Sequence, residues 1–93
     1  MNQPILSLVY TCPDNICWVN DKAVIIVVNK HTQQTYLLRG IEFVIWDWLM
    51  LGNTYARLVQ LIASLLAISL PQAKQQLHHQ LQIWQQNGLL EKS

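Results

Sequence analysis

A chain of 93 residues, 52% hydrophobic, 12% charged and of net charge +1, has room for one small domain and few charges to solvate it. That balance excludes the basic footprint of a nucleic-acid binder and a polybasic membrane patch, since its six Lys and Arg are scattered between Lys22 and Lys92. It also implies apolar surface beyond what the core consumes, and such surface tends to mark contact sites.

The whole chain, 1–93, reads as a single domain whose first fifteen residues, 1–15, are an N-terminal flank. "MNQPILSLVY" has neither a charged start nor a long apolar run, so no signal peptide is expected. The most apolar stretch, 58–70, is broken by Gln60, Ser64 and Ser69 and is too short to span a bilayer. A soluble cytoplasmic protein with no membrane contact is the expectation. Cys12 and Cys17 sit in "CPDNIC". Two thiolates supply half of the usual four zinc ligands, and His31, His78 and His79 lie far off in sequence. A disulfide fits the reach but not a reducing cytosol. Free thiols, no metal and no cofactor are therefore expected.

Pro13, Asp14 and Asn15 mark a turn before a first strand over 16–20. Asn20, Asp21 and Lys22 turn the chain into "AVIIVV", 23–28, a β-branched run expected to be buried on both faces. A turn at 29–32 leads to a third strand over 34–38. Turns this short make an antiparallel meander with the second strand central and the third at an edge.

Three helices follow. In the first, Ile41, Val44, Ile45, Trp48 and Leu49 repeat at helical spacing and form the expected core face. Phe43, Trp46 and Met50 make a second stripe beyond what one packed face requires. Gly52 and Asn53 end this helix, and Thr54 caps the next. The second helix, 55–67, is apolar nearly all round and should be largely buried. Ser69 caps the third, with Pro71 near its first position, Ala73, Leu77, Leu81 and Trp84 inward, and Gln75, Gln82 and Gln86 in water. Gly88 stops it in the left-handed conformation, and Leu89 and Leu90 fold back on the core. The fold class is α+β: a three-stranded antiparallel sheet followed by three helices, in a winged-helix-like order.

Catalysis needs a constellation, and none is spelled out. Asp14 and Asp21 fall in turns and Glu91 in the tail, while Glu42 and Asp47 point to different sides of one helix. Gly40, Gly52 and Gly88 are isolated, so no phosphate loop exists. The winged-helix-like order makes DNA binding a rival reading. Specific binders neutralise about 6–10 phosphates, however, and this chain cannot gather that many cations on one face. Peptide binding remains. "QQTYLL" carries neither the charge nor the proline that usually blocks a sheet edge, so an extended peptide could add there as a fourth strand.

"YLL" before the first helix, "IW" at Ile45 and Trp46, "LGNT" before the second helix and "GLL" after the third occur in one order across residues 16–90. In that order and spacing the chain resembles the PqqD-like leader-peptide-binding domains, the recognition elements of pathways that make ribosomally synthesised and post-translationally modified peptides. It departs from them at Arg39, where Asn is frequent, and at Glu42, where Gly is common, which leaves Gly40 as the substitute cap.

The resemblance implies a standalone, non-catalytic adaptor. It implies three strands, three helices and a cleft between the third strand and third helix where a precursor's leader docks as an added strand. Carried onto this sequence, the strand side is Gln34, Thr35, Tyr36, Leu37 and Leu38, and the helix side is Lys74, Leu77, His78, Leu81 and Gln85. Leu77 and Leu81 would serve both core and pocket, and Lys74 would pair with an acidic leader residue. The implied partner is a separate modifying enzyme, a radical S-adenosylmethionine maturase, with the peptide-splicing type nearest in flavour. The leader-binding subunit of a split lasso-peptide peptidase is another family role. Phe43, Trp46 and Met50, or the outer face of "AVIIVV", are the candidate contacts for that enzyme or for a second copy of the chain. The rivals are a winged-helix-like DNA binder and a structural subunit that binds no peptide.

Overall fold

A computed structural model describes residues 10–92. In chain order these form β1 (Tyr10–Thr11), β2 (Ile16–Asp21), β3 (Val24–Asn29), β4 (Gln34–Leu38), α1 (Ile41–Met50), α2 (Tyr55–Leu66), α3 (Leu70–Gln86) and β5 (Glu91–Lys92). The first nine positions of the expected N-terminal flank, with the reading that no signal peptide begins there, lie outside the described residues. The rest of the flank contains β1.

The meander forms as expected, with β3 between β2 and β4 and both pairings antiparallel. β2 runs to Asp21, which pairs with Val24, so the turn falls on Lys22 and Ala23, one residue later than the sequence suggests. Asn29 builds the next turn. Its Oδ1 accepts the backbone N–H of His31 at 3.0 Å and of Thr32 at 3.3 Å, and the Asn15 Nδ2–H at 3.0 Å. The side chain thus replaces a backbone turn, which is how asparagine nucleates such loops. It also ties the start of β2 to the β3–β4 hairpin.

The sheet buries one face, not two. Ile25 and Val27 are fully buried, whereas Val24, Ile26 and Val28 are half-buried. The helices cover the first set only. Register places Cys17, Val19, Thr35 and Leu37 beside Ile26 and Val28 on the uncovered face, where Val19 is 55% and Leu37 49% exposed.

Gly40 starts α1 at φ 60° and ψ −128°, with no side-chain cap. Glycine alone reaches that region without strain, so Gly40 is what allows β4 to turn directly into a helix. α1 buries Ile45, Trp46 and Leu49, while Ile41, Phe43, Val44, Trp48 and Met50 are half-buried. The expectation that Trp46 is surplus to the core is therefore corrected. Its ring lies between Trp18 of β2 and Trp84 of α3, at centroid distances of 6.3 and 5.1 Å and nearly perpendicular to both. Edge-to-face packing of this kind adds about 0.5–1.5 kcal/mol per pair beyond area burial. The helix packs against β1, β4 and α2, so the arc it buries is wider than a single stripe.

Thr54 caps α2, its Oγ1 accepting the Arg57 N–H at 3.3 Å. α2 is less enclosed than its composition suggests. Tyr55, Leu58, Val59 and Ile62 are buried, but Leu65 and Leu66 are exposed because α3 turns away at their end. Ala67 closes the helix in the left-handed region, at φ 54° and ψ 45°. Ser69 and Gln72 form a capping box, with Pro71 in the first turn of α3. α3 buries Ala73, Leu77, Leu81 and Trp84 and turns Gln75, Gln82 and Gln86 outward, as its periodicity requires. Gly88 adopts φ 73°, and Leu89 and Leu90 return to the core. β5 then pairs with β1, Tyr10 opposite Lys92, so that the two ends of the described chain form a small clasp. Among the described residues no single helix is long and apolar enough to cross a membrane.

Candidate functional site

β4 has one strand partner, β3, and its other border is free of strand pairing among the described residues. Every second residue of an antiparallel edge strand points its N–H and C=O away from its one partner, so β4 presents a row of donors and acceptors that no described strand meets, with the Gln34 N–H held locally by Thr32 Oγ1 at 3.3 Å. Gln34, Thr35 and Leu37 are exposed, Tyr36 is half-buried against the core, and Leu38 is 3% exposed beneath the sheet. The Tyr36 hydroxyl donates to Gln34 Oε1 at 2.8 Å, which holds these two side chains of one strand face together. β2 is the sheet's second border, also paired on one side only among the described residues. The sequence pattern singles out only the third strand as an edge.

α3 supplies the other half of the expected site and divides it. Leu77 and Leu81 are core residues, 0% and 2% exposed. Lys74 and His78 are exposed and one turn apart, and Gln85 is half-buried further along the same side. Lys74 and His78 line an open groove of about 380 Å³ with Tyr55, Pro71 and Gln75. No β4 side chain lines it, so the structure brings Lys74 and His78 together but does not join them to the strand in one enclosed pocket. Pro71 and Gln75 are not among the residues expected from sequence, although their spacing with Lys74 and His78, i, i+3, i+4 and i+7, marks one helix face. Tyr55, brought in from α2, leaves no such signal.

Of the candidate partner contacts, Phe43 and Met50 are half-buried and pack on the core, and Trp46 is enclosed. Cys12 and Cys17 are free thiols. Cys12 is half-buried with its Sγ 3.7 Å from Met50 Sδ, and burial pushes its pKa up to about 11. Burial also raises Tyr55, and it raises Tyr10, to which the charge of Tyr55 adds. Among the described residues no three His, Cys, Asp or Glu side chains gather closely enough to hold a metal ion.

No family model and no curated protein matches the sequence. A solved structure does match the fold: TbiB1 in complex with the TbiA(beta) leader peptide, with a TM-score of 0.80 over 86% of this chain and 93% of that one. This chain shares the fold of TbiB1. The two are 19% identical. The α+β architecture expected from the element order is therefore the one found, and it recurs in a protein that differs from this chain at most positions.

Proposed function

We propose that this chain is a non-catalytic adaptor that binds the leader of a ribosomally made precursor peptide and presents it to a modifying enzyme. The observation that carries the proposal is the border of β4, uncharged and free of strand pairing among the described residues. An extended peptide completes such a border through main-chain hydrogen bonds, and the flanking side chains select among sequences. Thr35 and Leu37 on the open face, Gln34, Tyr36 and Leu38 beneath it, and Lys74, His78 and Gln85 on α3 are the residues we assign to recognition. Leu77 and Leu81 support that surface from the core. The fold shared with TbiB1, whose solved complex contains a leader peptide, supports the assignment, as does the resemblance to PqqD-like domains.

The adaptor acts where precursors are made, in the cytoplasm. On the resemblance, its partner is a radical S-adenosylmethionine maturase, of the peptide-splicing type. Either the sheet face left open by the helices, around Val19 and Leu37, or the half-buried Phe43 and Met50 of α1 is offered to that enzyme or to a second copy of the chain. Co-purification with a cysteine peptidase would instead make this the leader-binding subunit of a split lasso-peptide peptidase.

Hydrogen exchange tests the central claim. The probe is a synthetic leader segment of a ribosomally made precursor peptide. It should bind saturably and slow the outward amides of residues 34–38 by an order of magnitude or more. Protection of 16–21 instead would move the site to the β2 border. No affinity for the peptide, together with steeply salt-dependent binding to DNA, would replace the adaptor with a DNA-binding protein.

A further inference from the structure

Resting on that reading, we propose that the groove at the start of α3 selects a carboxylate side chain of the leader, in a part of the peptide outside the segment paired with β4. The groove is lined by Tyr55, Pro71, Lys74, Gln75 and His78. Tyr55 and Pro71 give it an apolar floor, suited to the methylenes of an acidic side chain. Lys74 and His78 give it N–H donors one helical turn apart, those of Lys74 on an ammonium group. None of the chain's five Asp and Glu side chains lines it. An entering anion therefore meets a cation and no repulsion. A basic side chain would face Lys74, and a wholly apolar one would strip water from its ammonium without replacing it.

Position follows from the lining. No β4 residue contributes to the groove, whereas strand addition uses the backbone of β4 itself. A five-residue strand pairs with roughly 17 Å of extended peptide. The acidic residue belongs to the stretch that flanks this paired length, and it sets register, since only one alignment brings it over Lys74. Exposed ion pairs are weak, so the preference is modest: about three- to fivefold over the matching amide, and lower at high salt.

A displayed library of random peptides, sorted against the full chain and its Lys74→Gln and Lys74→Glu variants, tests this. Lys74 is exposed, and the unchanged circular dichroism of both variants is checked first. The expected result is Asp or Glu enriched about three- to fivefold over Asn and Gln at one position in wild type. That enrichment disappears with Lys74→Gln and gives way to Lys or Arg with Lys74→Glu. Selected peptides that protect the β4 amides but show no acidic preference, or keep it in both variants, overturn the groove assignment and leave the adaptor standing. A library from which nothing is selected, or whose winners leave β4 exchange untouched, overturns the adaptor and the groove together.

Discussion

Two residues carry backbone conformations that decide local stability. Ala67 ends α2 in the left-handed region, where a Cβ costs about 1–2 kcal/mol and glycine none. Glycine's greater freedom in the unfolded chain returns roughly 0.5–1 kcal/mol of that. Ala67→Gly is therefore expected to stabilise by about 0.5–1 kcal/mol, read as a higher urea midpoint with an unchanged slope. Gly40 is the opposite case. Gly40→Ala forces a side chain into a region open to glycine alone and should cost about 1–3 kcal/mol in the same measurement. The two thiols also part company. Cys17 is exposed and should react quickly with a thiol reagent at pH 8, while the half-buried Cys12 should react more slowly. Because burial holds Cys12 neutral up to about pH 11 against an ordinary value near 9, the unfolded chain loses that proton first as pH rises. Stability is therefore intact below pH 9 and falls between about 9 and 11, a slope that Cys12→Ser reduces.

At the scale of elements, Trp46 joins three of them. Its ring touches Trp18 of β2 and Trp84 of α3 from its seat on α1, so it is where the sheet and the last helix meet. Trp46→Ala should cost about 3–5 kcal/mol, a large share of the roughly 5–10 kcal/mol such a domain commands. Denaturant unfolding measures the loss, and near-ultraviolet dichroism should lose the signal of the packed indoles. The same residue shows where reading by stripes stops. Periodicity alone assigns α1 a core face of Ile41, Val44, Ile45, Trp48 and Leu49, because a helix resting on one surface needs only one stripe. α1 rests on several, and which ones is a tertiary fact. α2 errs in the other direction: Leu65 and Leu66 look like core by composition, but the chain bends before anything covers them.

At the scale of the molecule, most of the architecture was legible. Asn29, Gly40, Thr54, Ser69 and Gly88 act locally, each through a hydrogen bond or a dihedral angle of its own neighbourhood, so sequence shows them directly. The β4 border was legible for the same reason, since short turns dictate a meander and a meander has borders. The clasp of β1 and β5 was not. Two-residue strands have no alternation to detect, and their pairing joins opposite ends of the chain. Ending the chain at Leu90 should remove the clasp, uncover Tyr10 and cost about 1–3 kcal/mol, with faster exchange at the Tyr10 amide as its local sign.

The outward row of Gln75, Gln82 and Gln86 has an effect on how such experiments read. Amides hydrate a helix without adding ionic charge, so α3 is electrically quiet except near Lys74. Added sodium chloride has little on that surface to screen. Whatever salt sensitivity α3 lends to peptide capture should therefore come chiefly from the single turn at Lys74.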